Sequence, residues 1–339
     1  MAVISTSKLI TIDRHISMEE NLHPEATGAF TNILHDWIFA IRLISKEVRR
    51  AGLNDILGLT ENTNVHGERV RKIDQYANDV INRSMYHSGQ LCAMISEESV
   101  GLIPIPEAFK KGKYILAFDP LDGSTNIDVN ITIGTIFSLY KRLDSFSTSD
   151  VTMTDILQPG IKQVAAGYVL YGSSTIFAYT TGHGLNIFTY DPIIGEFLLT
   201  FENIKMPKKG FQYSCNEGNY YKWNQRVQDF VNHIKTPTNN SKPFTLRYIA
   251  TAVADIHRML HYGGVYLYPA ETNMPNGKIR LLYEASPLAM IVEQAGGKAI
   301  TGTQRILDVV PTSIHQTVPF FVGSEENINE LEKYLKGEY

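Results

Sequence analysis

Apolar and polar positions along the chain fall into stretches of two kinds, helical and extended. Over residues 28–51, Phe30, Ile33, Leu34, Trp37, Ile38, Ile41, Ile44 and Val48 recur on one helical face. Gly52 supplies the stop, and residues 24–28 read as a bare cap in preference to an anion site on its free N–H groups. A second helix is predicted over 69–85, carried by Val70, Ile73, Ala77, Val80 and Ile81. Short apolar runs follow. Residues 91–95 end on Ser96-Glu97-Glu98, and residues 114–118 end on Asp119-Pro120-Leu121-Asp122-Gly123-Ser124. Both read as strands. From 164 to 202, four β-rich runs joined by short turns containing glycine predict an antiparallel meander.

The stretch Lys205-Met206-Pro207-Lys208-Lys209-Gly210 mixes proline, glycine and three lysines between two structured regions, so domains are expected at 1–204 and 205–339. Beyond it, helices are predicted over 224–234, 252–260 and 325–335, and a strand over 265–268. A further helix over 284–295 is stopped by Gly296-Gly297. No internal repeat or low-complexity segment is visible. The class is mixed α/β.

Composition changes this picture little. With 43% apolar and 19% charged residues in 339, the chain can bury a large core without a staple. The balance of 31 basic against 35 acidic residues speaks against nucleic acid as the partner. No apolar run reaches the roughly 18 residues of a membrane span, and the start lacks a secretory pattern; no membrane partner and a cytoplasmic location are expected. Cys92 and Cys215 form no metal-spaced pair and read as buried, inert thiols.

The phosphate-cradling GxxxxGK[ST], the dinucleotide GxGxxG and the hydrolase GxSxG are all absent. Acids at the ends of apolar runs are the better lead. Glu97 and Glu98 close one run, and Asp119 and Asp122 close the next. Pro120 fixes φ between the two aspartates, which lets both carboxylates and the Leu121 carbonyl turn toward one point. Gly123 permits close backbone approach, and Ser124-Thr125 then offers donors to a phosphate. Two like charges about 4 Å apart repel by about 4 kcal/mol at an effective dielectric of about 20. Several carboxylates in one cleft therefore require a cation, and oxygen-only ligation selects Mg²⁺ or Mn²⁺. Downstream, Arg247, Tyr248, Tyr268, Lys278, Arg280 and Tyr283 precede Glu284. Lys278 and Arg280, two apart on a predicted strand, project to one side and can grip an anion together. The residues point to metal-assisted phosphoryl transfer.

Phe118-Asp119-Pro120-Leu121-Asp122-Gly123-Ser124-Thr125-Asn126-Ile127-Asp128 resembles the metal-site signature of the lithium-sensitive, Mg²⁺-dependent phosphatases. Ser96-Glu97-Glu98, Gly134-Thr135-Ile136-Phe137, Leu157-Gln158-Pro159-Gly160, Asn216-Glu217-Gly218, Asn276-Gly277-Lys278 and Arg280-Leu281-Leu282-Tyr283-Glu284 narrow the resemblance to class I fructose-1,6-bisphosphatases. The resemblance implies a layered α/β/α/β/α fold, a homotetramer, and hydrolysis of fructose 1,6-bisphosphate in gluconeogenesis with two or more Mg²⁺ ions. The runners-up within the same chemistry are sedoheptulose-bisphosphatase and inositol-phosphate phosphatase. A non-catalytic sugar-phosphate sensor is the remote reading, disfavoured because every metal position is filled.

By the resemblance, Glu97, Asp119, the Leu121 carbonyl, Asp122 and Glu284 hold metal. Asp74 and Glu98 orient and deprotonate the attacking water, with Glu68 on the loop that completes the site. Asp122, Gly123, Ser124 and Thr125, with Arg280, surround the 1-phosphate. Asn216, Tyr248, Tyr268 and Lys278 hold the sugar and 6-phosphate, and Arg247 reaches there from a neighbouring subunit. Asn219 and Ala252 depart from a tyrosine and a methionine of animal members. The family's AMP pocket is matched by Thr27, Gly28, Thr31, Lys113 and Tyr114, but Ala29 replaces an acid, Phe30 a methionine, and Lys141 an arginine. AMP inhibition is expected to be weak. The cysteine-bearing insert of light-regulated chloroplast members is missing, so thiol control is not expected.

Overall fold

Two sheets, each covered on both faces, set the architecture in the computed structural model, which describes residues 9–21, 28–53, 57–63, 69–144, 150–237 and 242–339. The chain enters through helices α1 (Ile12–Asn21) and α2 (Ala29–Val48), the hairpin β1 (Leu59–Thr63) and β2 (Arg69–Arg71), and α3 (Lys72–Tyr86). The first sheet contains β3 (Leu91–Ser96), β4 (Ile103–Pro104), β5 (Tyr114–Asp122), β6 (Ile133–Lys141), β7 (Gln163–Tyr171), β8 (Thr175–Thr180), β9 (Asn186–Asp191) and β10 (Glu196–Phe201). Its order is β10-β9-β8-β7-β6-β5-β3-β4, antiparallel except for the β3–β5 pair. The meander from β7 to β10 matches the predicted one. A short helix, α4 (Met153–Ile156), lies between β6 and β7.

The second half contributes β11 (Gln212–Ser214), α5 (Gln225–Lys235), β12 (Thr245–Leu246), α6 (Ala252–Tyr262), β13 (Val265–Tyr268) and β14 (Ile279–Arg280). It ends with α7 (Ser286–Gln294), β15 (Gly297–Ile300), β16 (Thr317–Val318), β17 (Phe320–Ser324) and α8 (Glu325–Lys336). The second sheet runs β12-β11-β13-β17-β15, and β14 pairs separately with β16.

Alternation along the strands divides the core into layers. Phe118, Phe137, Val169 and Phe177 face α1, α2 and α3, where Trp37 lies 4.7 Å from the Phe137 ring. Their chain neighbours Ile136, Tyr168 and Ala178 face the opposite way, onto Val253, Ile256 and Leu260 of α6 and Leu288, Ile291 and Val292 of α7. Tyr266, Phe320 and Val322 of the second sheet close that layer from below. Val265, Leu267 and Phe321 point outward again, onto Phe230 of α5 and Leu331 of α8. The result is α/β/α/β/α, with α6 and α7 as the shared middle layer.

Two helix boundaries differ from the sequence reading. Arg69–Arg71 belongs to the hairpin, because Arg71 pairs with Leu59 and its N–H is taken by Asp74, so α3 begins at Lys72. Before α7, Leu281–Ala285 forms a wider π turn. Pro287 lacks the N–H that would bond back to Tyr283, and that missing bond permits the wide turn. Both cysteines are buried and free. Because α7 is packed from both sides and cannot settle into a void, Ile291→Ala is expected to cost about 2–5 kcal/mol, read from urea unfolding. A cost near zero would contradict the layered packing.

Candidate active site

β3 and β5 are parallel, with Ser96 opposite Phe118, so the chain leaves both strands at one edge. Clefts form at the carboxyl ends of parallel strands for this reason. The Glu97 N–H donates to the Phe118 carbonyl at 3.2 Å and fixes the start of the first exit. In a regular strand, Asp119 and Asp122 would point to opposite faces. The register against β6 breaks between them, Asp119 lying opposite Ile136 and Asp122 opposite Gly134. This extra residue is a bulge, and it brings both carboxylates to the same cleft. The Leu121 N–H donates to Asp119 Oδ1 at 2.9 Å, and the Thr135 hydroxyl donates to the Pro120 carbonyl at 2.8 Å.

Asp122 Oδ2 accepts the Val253 N–H at 2.8 Å, so α6 presents its positive end to this carboxylate. Gly123 sits at φ 71°, and a Cβ there would lie 2.2 Å from Thr251 Oγ1. Glu284 is carried in by the π turn and accepts the Arg280 N–H at 2.6 Å. The Arg280 guanidinium lies 2.8 Å from Glu97. Asp74, on the first turn of α3, accepts from the Arg71 N–H at 3.0 Å and the Ser124 hydroxyl at 3.2 Å. Its other oxygen, Oδ1, is buried with no hydrogen-bond partner among the described residues.

Carboxylate oxygens of Glu97, Asp119 and Glu284 lie within 4.8 Å of one another. Burial and this mutual repulsion push the group toward protonation. Asp119 is raised well above the usual range, by burial first and by Glu97, Glu284 and Asp122 after it. Glu284 is raised to about 8, chiefly by burial, against the opposing pull of Arg280. Asp122 is raised to about 7 by burial, which outweighs the Val253 N–H. Asp74 reaches about 6, burial again outweighing its hydrogen bonds. Six carboxylates line the cleft against Arg71, Lys278 and Arg280. A set of buried, oxygen-only donors with excess negative charge fits a hard divalent cation.

The cleft encloses about 400 Å³. It gathers Asp74, Glu97, Glu98, Asp119, Leu121, Asp122, Gly123, Ser124, Thr125, Tyr248, Tyr268, Lys278, Arg280 and Glu284, all singled out in the sequence. Asn216 and Arg247 are exposed and do not line it; Asn216 accepts the Gly218 N–H, and Arg247 donates to the Leu246 carbonyl. Asn219 donates to Glu271 at 2.7 Å, and Ala252 lines the cleft. Glu68 lies outside the described residues. Sequence reasoning missed Arg71, Ala250 and Tyr266. Tyr266 was accessible as the i−2 neighbour of Tyr268 on one strand face, whereas Ala250 lines the cleft through a positive φ that nothing in its side chain announces.

A second cleft of about 650 Å³ lies between α1, the start of α2 and the first sheet. Gly28, Thr31, Lys113, Tyr114 and Lys141 meet there, together with Phe30. The Thr31 hydroxyl donates to Glu20 at 3.1 Å. Thr27 lies outside the described residues.

Residues 10–202 match the family described as "Fructose-1-6-bisphosphatase, N-terminal domain", and residues 206–336 match its C-terminal domain. The chain belongs to the fructose-1,6-bisphosphatase family. It is 51% identical over 332 residues to a class 1 fructose-1,6-bisphosphatase of Chlorobium phaeobacteroides, covering 98% of this chain and 99% of that one. It is 50% identical over 331 residues to one from Maridesulfovibrio salexigens, covering 96% and 98%. The fold superposes on the holo form of the Leishmania major fructose-1,6-bisphosphatase with a TM-score of 0.90 at 37% identity, over 96% of this chain and 98% of that one. Fructose-1,6-bisphosphatases depend on divalent cations, in keeping with the acidic cluster at the strand ends.

The raised carboxyl groups make a stability prediction for this family member without metal. Asp74, Asp122 and Glu284 hold protons in the folded state at pH values where the unfolded chain has released them. The folded state therefore binds more protons between about pH 4 and pH 8, and stability falls as pH rises through that window. The chelated protein should melt lower at pH 8 than at pH 6, and added Mg²⁺ should raise the melting temperature more at pH 8. Thermal unfolding with and without chelator measures both, and an equal metal effect at the two pH values would contradict the argument.

Proposed function

We propose that the chain hydrolyses fructose 1,6-bisphosphate to fructose 6-phosphate and phosphate, a gluconeogenic step, with Mg²⁺ (or Mn²⁺) at two or more positions. The observation that carries this reading is the single cleft in which a buried carboxylate cluster faces Lys278, Arg280 and three tyrosines. Glu97, Asp119, the Leu121 carbonyl, Asp122 and Glu284 would hold the cations. Bound there, they would offset charge on the phosphoryl oxygens and favour loss of a proton from water.

The chain's own residues supply the rest. Ser124, Thr125 and Arg280 hold the 1-phosphate; Arg280 stays in place through Glu97 and the Glu284 turn. Tyr248, Tyr268 and Lys278 receive the sugar and 6-phosphate. Asp74, poised near pH 6 with a buried oxygen that no described residue partners, takes the proton from the attacking water, and Glu98 helps orient that water. The water oxygen bonds to phosphorus as the bond to the sugar oxygen breaks; the leaving oxygen takes a proton from solvent, and Asp74 returns to solvent the one it took from the attacking water, so the sugar leaves as its hydroxyl form.

On this reading residues 1–204 form the domain with most of the acidic ligands, and residues 205–339 form the sugar-bisphosphate domain. The exposed Arg247 suits a homotetramer in which it completes a neighbouring site, and Asn216 belongs to the sugar-binding set by resemblance. No helix among the described residues is long and apolar enough to cross a membrane; a cytoplasmic location, with no membrane or nucleic-acid partner, is part of the same reading.

Asp74→Asn should lower kcat about 10²–10⁴-fold with little change in KM, measured as phosphate released from fructose 1,6-bisphosphate with Mg²⁺. Unchanged turnover would remove Asp74 from the mechanism. The second cleft is read as an AMP pocket with a weakened grip, because the Lys141 ammonium cannot make the planar, two-pronged phosphate contact of an arginine. AMP should inhibit only weakly, and Lys141→Arg should strengthen inhibition; potent inhibition of the unaltered enzyme would refute this.

A further inference from the structure

Residues 248–251 cross the cleft as a strap between its two ends. Tyr248 and Ala250 line the side assigned to the sugar, and Thr251 leads into the first turn of α6. The strap has an unfavourable backbone: Ala250 stands at φ 65°, a conformation that L-residues with a side chain rarely adopt. Such a conformation persists only where the surroundings over-determine it.

Two side chains outside the proposed ligand and substrate sets do so. Asp255, on α6, has no exposed surface and does not line the cleft. Both of its oxygens accept the Ile249 N–H, at 3.1 and 3.2 Å. From the opposite wall, the Asn126 amide donates to the Ile249 carbonyl and to Thr251 Oγ1, both at 2.9 Å. The Thr251 hydroxyl in turn donates to the Thr132 carbonyl at 2.8 Å, directly over Gly123. Asn126 lies two residues after Ser124, on the same short turn. One peptide, that of Ile249, is thus held at its N–H by α6 and at its carbonyl by the loop that carries the phosphate-side donors. A buried carboxylate is costly unless hydrogen-bonded, so a packing role alone would be met better by an apolar side chain.

We infer that Asp255 and Asn126 are positioning residues that clamp the 248–251 strap and thereby set the spacing between the sugar side and the phosphate side of the cleft. This rests on the bisphosphate reading given above. A ligand with phosphates at both ends senses that spacing directly, so loosening the strap weakens substrate capture and leaves the acid cluster in place.

The test uses Asp255→Asn, Asn126→Ala, their combination, and Asp255→Asn with Ala250→Gly. Asparagine keeps the volume but turns one acceptor into a donor facing an N–H. Each single change should raise KM for fructose 1,6-bisphosphate about tenfold, the scale of a lost charge-assisted or buried hydrogen bond, with a smaller effect on kcat. The double variant should fall short of the product of the singles, because both act on one peptide. Ala250→Gly should recover part of the KM in the Asp255→Asn background, since glycine adopts the strap's φ without strain. A merely structural role would lower the melting temperature or the active fraction and leave KM alone, and that outcome overturns the proposal. So does a multiplicative double variant. If Asp255→Asn fails to fold, Asn126→Ala decides by itself, an unchanged KM counting against the clamp. Hydrogen exchange at residues 249–251 reads the strap without substrate. Should the unaltered protein fail to turn over the bisphosphate, that defeats the parent reading, whereas unchanged exchange in both single variants defeats the clamp.

Discussion

Crowding of negative charge at the ends of β3 and β5 is the constraint on which the rest of the site depends. Glu97, Asp119 and Glu284 bring oxygens within 4.8 Å of one another in a buried cleft. Each pair at such a distance repels by several kcal/mol at the effective dielectric of a protein. The fold answers this locally with oriented donors. Arg280 stands against Glu97, the start of α6 faces Asp122, and backbone N–H groups cap Asp74 and Glu284. These contacts moderate the repulsion without cancelling it, as the raised carboxyl groups record. A divalent cation held there would complete the balance, which would make metal binding and the order of this cleft one problem.

The layered architecture is what makes the crowding possible. The first sheet supplies Glu97, Asp119 and Asp122, and its β5–β6 bulge turns the two aspartates the same way. The middle layer contributes the start of α6, and the wide turn before α7 contributes Glu284. Because α6 and α7 pack on both sheets, the acidic half of the cleft is locked to the half that carries Tyr248, Tyr268 and Lys278. The site belongs to neither half of the chain alone. The Ile249 peptide, held from both walls, is one connection between them, beside the Asp122–Val253 and Arg280–Glu97 contacts.

Much of this was legible in the residues. Helical spacing located α2, apolar runs located β3 and β5, and the acids closing those runs are the ones that meet. Fourteen of the singled-out positions line one cleft, and six of them are carboxylates, the donor type a hard divalent cation prefers. The sequence was silent where the decisive feature is a backbone conformation. The bulge and the positive φ of Ala250 are held by partners on other elements, and the π turn follows from how Pro287 enters the next helix. Asp255 escaped notice for the same reason: an isolated aspartate in a helix looks like a solvated charge until its partner peptide is known.

The amino-acid sequence by itself determined the chemical inventory of this protein: a mixed α/β chain with a signature of closely spaced acids, followed by a cationic and aromatic set. Local spacing and side-chain chemistry suffice for that, because periodicity and donor type are properties of short stretches. Only the tertiary structure decided which of those groups share a cleft. Asn216 and Arg247 lie outside it, while Arg71, Tyr266 and Ala250 lie within. Strand register and the packing of the middle helices set those distances, and the second of these joins residues more than a hundred positions apart, Asp122 to Val253 and Asn126 to Ile249.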